Sequence, residues 1–172
     1  KNHLTMKALV LAAGEGQRLR PLTNNVPKPM LKIGDRPILE HNIRLLAHHG
    51  VKDIIINLHH RPETITNYFG NGEDWGVNIQ YSHEPKLLGT AGAAKHIETY
   101  FDGTFIVVYG DNMTTCNITN VLNTHTKKDS KGTIVLFYRQ NPLASVIAEL
   151  DDEERIIRFK EKPSSGQVFS KW

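Results

Sequence analysis

An apolar run, Leu9-Val-Leu-Ala-Ala13, gives way to a loop that carries Gly14, Gly16, Arg18, Arg20 and, after Pro27, Lys28. Glycines let backbone N–H groups approach a bound anion closely, and nearby cations neutralise it. Arginine offers a planar fork of donors to phosphate oxygens, whereas lysine acts as a compact point charge. A second group, Gly110-Asp-Asn112, follows the apolar run Phe105–Tyr109. A carboxylate at the end of a strand, facing a phosphate loop, suits Mg²⁺, which takes oxygen ligands and is commonly shared between one or two carboxylates and substrate phosphates. The chemistry these residues can do is binding and displacement at a polyphosphate. Plainer roles fit the same residues: a glycine turn with a solvated basic rim, and the frequent use of Gly-Asp in turns.

Two further stretches carry candidate ligands. Gly89-Thr-Ala-Gly-Ala-Ala-Lys95 opens a helix with small side chains, so that a flat ring or a ribose can lie near free N–H groups. Tight packing of the helix on a sheet would use the same small residues. In Phe159-Lys-Glu-Lys-Pro163, Lys162 can pair with a second phosphate and Glu161 can accept from sugar hydroxyls. An exposed, charged strand end is the plainer reading of that pair.

Familiar alternatives are absent. There is no G-x-x-x-x-G-K-[ST], and Leu19 stands where the third glycine of G-x-G-x-x-G belongs. A P-loop NTPase and a dinucleotide-dependent oxidoreductase are therefore unsupported. Nine histidines include His48-His49 and His59-His60, without an HExxH or a zinc-ligand spacing. No G-x-S-x-G elbow points to a hydrolase.

Alternating elements must position these residues. Strands are expected over 7–12, 53–58, 78–82, 104–109, 132–138, 146–150 and 155–160, and helices over 37–50, 62–69, 90–101 and 117–128. The first helix has Ile38, Leu39, Ile43, Leu45 and Leu46 at helical spacing between Pro37 and Gly50. Such alternation implies an α/β fold: a Rossmann-like mixed, mostly parallel sheet with helices on both faces. The last three strands lack intervening helices and read as an antiparallel or mixed edge, with Asp151–Glu154 as a turn. Ligands in such sheets sit beyond the carboxyl ends of the strands. That is where the first loop, His59-His60, His83-Glu84 and Gly110–Asn112 fall.

The chain has 172 residues, enough for a single domain with a real core, and 39% hydrophobic and 23% charged residues are ordinary for a globular protein. A formal charge of +3 without a clustered basic run argues against nucleic acid as partner. One cysteine, Cys116, permits no internal disulfide and fits a reducing, cytoplasmic setting. No segment reaches membrane-spanning length. Met6 is a candidate start, with residues 1–5 a leader ahead of it.

Taken together, the segments resemble the sugar-1-phosphate nucleotidylyltransferases, the NDP-sugar pyrophosphorylases. Leu11-Ala-Ala-Gly-Glu-Gly-Gln-Arg-Leu-Arg-Pro-Leu-Thr23 with Pro27-Lys28-Pro29 looks like the family signature. Tyr109–Asn112 and Phe159–Pro163 match two further motifs in order. The resemblance implies the reaction NTP + sugar 1-phosphate ⇌ NDP-sugar + pyrophosphate, dependent on Mg²⁺. It implies nucleotide binding by Ala13, Gly14, Glu15, Gly16 and Gln17, with Gly89 and Thr90 near base and ribose. Arg18 and Lys28 would stabilise the leaving pyrophosphate and Asp111 would hold the metal. Asn112, Glu161 and Lys162 would serve the sugar phosphate. Leu88–Ala93 and Tyr109–Asn112 look most like the mannose-1-phosphate guanylyltransferase branch, which implies GTP and mannose 1-phosphate. Uridylyl and thymidylyl transfer, and a non-catalytic nucleotide-binding module, stay open.

Three departures stand out. Gln17 replaces the usual threonine of the signature, and Ala144-Ser145-Val146 stands where many members carry a glycine. The second metal-binding aspartate of the family has no counterpart, since no acidic residue follows Glu161. The expectation is one nucleotidyltransferase domain over 1–172, cut short at its C-terminus, whose open sheet edge invites a homodimer.

Overall fold

The computed structural model describes residues 6–172; residues 1–5, read above as a leader, lie outside the described residues. The elements run β1 (Lys7–Leu11), β2 (Lys32–Ile33), β3 (Arg36–Pro37), α1 (Ile38–His48), β4 (Asp53–Leu58), α2 (Pro62–Phe69), β5 (Asn78–His83), α3 (Gly89–His96), β6 (Phe105–Tyr109), α4 (Ile118–Lys127), β7 (Val146–Leu150) and β8 (Ile156–Glu161). The described residues divide into two compact units, 6–119 and 120–172, and the residues of α4 fall on both sides of the division.

The first unit is built on a four-stranded sheet of order β5-β4-β1-β6 in which each neighbouring pair is parallel. Lys7 is in register with both Asp53 and Phe105. From β1 the chain builds outward to β4 and β5, then returns to place β6 on the other side of β1. The direction of winding therefore reverses between β1 and β6, the position where open α/β sheets bind ligands. This is the Rossmann-like α/β fold that the alternation of elements implies.

Both faces of the central strand are covered. Side chains alternate along a strand: Leu9 and Leu11 pack with Ile55, Ala94, Ile97 and Phe101, on the α3 side. The intervening Val10 lies, with Leu39 of α1, beside Gly110. Leu9, Val10, Leu39, Ile43, Leu46, Ile54 and Ile56 are all fully buried.

One charged group sits at the buried base of α1. Glu40 is 3% exposed, and it accepts from Arg44 Nε at 2.6 Å and from Tyr68 Oη at 2.7 Å, with Arg36 Nε at 3.4 Å. Burial pushes its carboxyl up, but hydrogen bonds from Tyr68, Arg44 and Trp75 outweigh that and hold it below the usual 4.5. A carboxyl depressed in the folded state adds stability above its unfolded pKa, and that increment is lost as pH falls through the folded value. Thermal midpoints taken from pH 7 down to pH 3 are therefore expected to fall in the native protein through a component that Glu40→Gln lacks.

In the second unit β7 and β8 form a separate two-stranded antiparallel sheet, with Val146 opposite Glu161, rather than the antiparallel or mixed edge expected from the sequence. Asp151–Glu154 makes the turn: Asp151 Oδ1 accepts from the N–H groups of Glu153 (3.0 Å) and Arg155 (2.8 Å). The strand expected over 132–138 does not form. Its β-branched and aromatic residues suit a strand, yet a strand exists only where a neighbour satisfies its backbone, and the segment enters no ladder. Ile134, Val135, Phe137 and Tyr138 are each more than half exposed. The other boundaries fall within a residue or two of those read from the sequence, except that the helix of 90–101 is α3 followed by a separate 3₁₀ turn at Glu98–Tyr100. The short β2–β3 ladder has no forerunner in the sequence pattern.

Candidate active site

At the carboxyl ends of β1, β4, β5 and β6 lies a cleft of ≈ 770 Å³. Nine of the residues singled out from the sequence line it: Ala13, Gly14, Gly16, Gln17, Arg18, Lys28, Gly89, Thr90 and Asp111. They come from separate stretches of sequence, and the parallel sheet brings them to one place.

The loop after β1 owes its shape to Gly16, which has φ +63°. Its carbonyl accepts from Leu19 N and from Thr23 Oγ1, both at 2.9 Å, with Thr23 almost wholly buried. A Cβ at Gly16 would lie 3.0 Å from Thr23 Cγ2 and 3.1 Å from Lys28 Cβ, so the glycine also makes room for the lysine. A Cβ at Gly14 would meet nothing within 4 Å. Lys28 Nζ reaches Asp111 Oδ2 at 2.6 Å, each side chain about one-third exposed. Two expected catalytic groups are thus paired across the cleft. Glu15 does not line it. Gln17 donates to its carboxylate at 2.7 Å, and this bond, with Arg20, His60 and His59 nearby, holds the Glu15 carboxyl below its usual range. Asn112 is also outside the lining, although it is adjacent to Asp111.

Gly89, at φ +71°, begins α3, and the next residue, Thr90, has its hydroxyl 3.4 Å from Tyr109 Oη. Beneath them runs a buried polar relay that is only half legible in the sequence. Glu84 stands out at a strand end, whereas Asn57 does not. Asn57 Oδ1 accepts from Ala12 N at 2.7 Å, and Asn57 Nδ2 donates to Glu84 Oε1 at 2.8 Å. Glu84 Oε2 accepts from Leu88 N at 3.1 Å, and the Glu84 carbonyl lies 2.7 Å from His59 Nδ1. Asn57 and Glu84 are each 4% exposed, and both line the cleft. The signal for Asn57 is one polar residue inside the apolar run Ile54-Ile-Ile-Asn-Leu58.

Mg²⁺ fits these residues as an ion shared between protein and substrate. Among the described residues no three of the His, Cys, Asp or Glu side chains cluster to form a cage. A single carboxylate, Asp111, completed by substrate phosphates and water, is a donor set that magnesium accepts.

Glu161 and Lys162 belong to the second unit. Neighbours in an extended strand face opposite ways, but Lys162 has φ +43°, and its N–H donates to the Ser145 carbonyl at 2.8 Å. The left-handed turn brings Lys162 Nζ to 3.4 Å from Glu161 Oε1, with both side chains exposed.

Residues 7–171 match the family described as nucleotidyl transferase. A protein of Synechocystis sp. named UTP–glucose-1-phosphate uridylyltransferase is 37% identical over 96% of this chain and 46% of its own length. The mannose-1-phosphate guanyltransferase of Yarrowia lipolytica is also 37% identical, over 92% of this chain and 45% of its own. The chain thus spans about half the length of these curated relatives. Among solved structures, a Bacillus anthracis protein assigned as a glucose-1-phosphate thymidylyltransferase, crystallised with a sucrose, superposes with a TM-score of 0.86 at 26% identity. That match covers 96% of this chain and 67% of the other. With the family matched over nearly its whole length, and the fold and cleft to accompany the match, the chain belongs to the nucleotidyl transferase family.

Proposed function

We propose that this polypeptide carries the nucleotide-handling part of a sugar-1-phosphate nucleotidylyltransferase, with both units parts of one catalytic domain. The observation that carries the reading is the convergence of the Gly14–Arg18 loop, Lys28 and Asp111 on one cleft at the point where the sheet reverses. In the proposed reaction a phosphate oxygen of the sugar 1-phosphate attacks the α-phosphorus of the NTP. The bond to the bridging oxygen breaks and pyrophosphate leaves with the electron pair. The nucleophile is already an anion, so no general base is needed. The obstacle is bringing two anions together, which positioned positive charge relieves. Arg18 and Lys28 meet the charge on the leaving pyrophosphate, while Ala13, Gly14, Gly16 and Gln17 bring backbone and amide donors to the phosphates. Gly89 and Thr90 lie along base and ribose. When bound at Asp111, Mg²⁺ supplies Lewis-acid charge to the phosphate oxygens. Glu161 accepts from sugar hydroxyls, and Lys162 and Asn112 serve the sugar phosphate.

For the nucleotide we infer GTP, with mannose 1-phosphate as acceptor. The relatives carry uridylyl, guanyl and thymidylyl names, so the choice rests on the resemblance of Leu88–Ala93 to the guanylyl branch and on Glu84. The two oxygens of this buried carboxylate each accept one protein hydrogen bond, which leaves a second lone pair on each. Guanine presents a ring N–H beside an amino group, two donors for such an acceptor. Uracil and thymine flank their single ring N–H with two carbonyls, which a carboxylate repels.

Pyrophosphate release tests the reading, with Mg²⁺, each NTP in turn, and mannose or glucose 1-phosphate. Turnover is expected to prefer GTP with mannose 1-phosphate and to vanish in Asp111→Ala. Glu84→Gln is expected to narrow the preference for GTP over UTP by about tenfold, the worth of one hydrogen bond removed or mismatched. Nucleotide binding without turnover makes this chain a binding module, and no binding of any nucleotide removes the phosphate-loop reading itself. We also propose a cytoplasmic setting, on the single cysteine, and a homodimer; a monomer in sedimentation removes the latter. No helix among the described residues is long and apolar enough to cross a membrane.

A further inference from the structure

A second buried asparagine is unaccounted for by the proposed chemistry. Asn42 is 1% exposed and sits on the apolar stripe of α1 between Leu39, Ile43 and Leu46, all fully buried. Asparagine is a mediocre helix former, and burying an amide is costly unless it is hydrogen-bonded. Nothing in α1 itself calls for it. Its Nδ2 instead donates out of the helix, to the carbonyls of Asn112 at 2.9 Å and Gly110 at 3.3 Å, with that of Tyr109 at 3.5 Å. These carbonyls flank Asp111 on both sides.

The loop needs such a partner. At the end of β6 the chain leaves its ladder: Gly110 N still donates to Leu11 O at 2.9 Å, and Asn112 N closes a tight turn onto Tyr109 O at 3.1 Å. The carbonyls left over must be satisfied from elsewhere. Gly110 lets the loop come close enough, because a Cβ there would lie 3.0 Å from the Leu11 carbonyl and 3.2 Å from both Leu39 and Val10. With residues 110 and 112 tied to one amide, Asp111 between them is left to project its carboxylate onto Lys28.

We propose that Asn42 is a positioning residue: by binding the carbonyls on either side of Asp111, it fixes where that carboxylate stands in the cleft. This rests on the reading of Asp111 as the metal-holding carboxylate.

The test uses the full chain without nucleotide and compares wild type with Asn42→Ala, Asn42→Asp and Asp111→Asn. Hydrogen exchange is followed at residues 110–113 and in β1 and β4, alongside titration with Mn²⁺ alone. Asn42→Ala is expected to speed exchange at 110–113 and to weaken Mn²⁺ binding, each by about tenfold, as befits the loss of one or two buried hydrogen bonds, while β1 and β4 keep their protection. Asn42→Asp, of the same shape but facing carbonyls with an acceptor, is expected to do at least as much, and Asn42→Ala decides should Asn42→Asp not fold. Unchanged exchange at 110–113 overturns the proposal. So does faster exchange with unaltered Mn²⁺ binding, provided that Asp111→Asn abolishes that binding. Mn²⁺ binding that is intact in Asp111→Asn removes the metal reading of Asp111 instead; in that case, or where wild type binds no Mn²⁺ without the substrate phosphates, the exchange rates alone decide whether Asn42 holds the loop.

Discussion

Replacing Lys28 with methionine is expected to lower turnover about a hundredfold, the effect of removing one interaction worth roughly 3 kcal/mol in the transition state. Methionine is the informative choice. It keeps the aliphatic stem, whose Cβ would stand 3.1 Å from a side chain at Gly16, and removes only the ammonium. The fold should tolerate it, since the Lys28 side chain is 30% exposed and the partner carboxylate it abandons is 33% exposed and open to water. Pyrophosphate release at saturating substrates, paired with a thermal melt, checks both halves. A loss of turnover below about threefold, with the melt unchanged, would remove Lys28 from the leaving-group site. In the double variant with Asp111→Asn the losses should not add, because the two groups meet at 2.6 Å and, in the proposed reaction, serve the same phosphates.

The second large effect is expected at Gly16. Valine there would be a β-branched residue at φ +63°, a conformation costing on the order of 1–3 kcal/mol, with further cost from crowding. Its Cβ would press on Thr23 Cγ2 and on Lys28 Cβ, so the strain is relieved by moving the loop or the lysine. Gly16→Val is therefore expected to lower both the melting temperature and turnover, the latter by about a hundredfold or more. Gly14→Ala is the contrast. A Cβ at Gly14 touches nothing in the protein, so the melt should be unaffected and any loss should appear as weaker nucleotide binding. Equal losses of stability in the two variants would refute the distinction drawn between them.

Much of this molecule is legible in its residues, and the reasons are local. The alternation of apolar runs with helical spacing locates β1, β4, β5, α1 and α2 closely, because each has buried positions that its own sequence must supply; β6 is located by its apolar, β-branched run although none of its residues is fully buried. The loop after β1, for which phosphate binding is proposed, is legible because glycine and cations are chemically specialised. The strand read over 132–138 fails for the opposite reason: its propensity is local, but a ladder needs a partner that the segment does not find. Asn57 leaves only the trace of one polar residue in an apolar run, and Asn42 leaves none, because their partners lie 45 and 70 residues away and no local pattern reports such a pairing. Lys162 stands in a recognised motif, yet a strand pattern alone would point it away from Glu161. At Lys162 the backbone is left-handed and its N–H is bonded to the Ser145 carbonyl, which no strand pattern announces.

The register of β1 has a consequence for how the protein comes into being. Lys7 aligns with Asp53 on one side and with Phe105 on the other, so the central strand is flanked only after two long stretches of chain have closed. Parallel pairings of this separation are slow to form, since the entropy of closing the loop is spent before any contact rewards it. The cleft draws on residues from Leu11 to Asp111 and has no existence in a chain that has closed only the shorter of the two. During synthesis, a ligand would meet a competent pocket only after β6 has left the ribosome and docked. From then on every bound ligand would act as a clamp on the longest-range pairing in the sheet, tying occupancy of the site to the persistence of the fold.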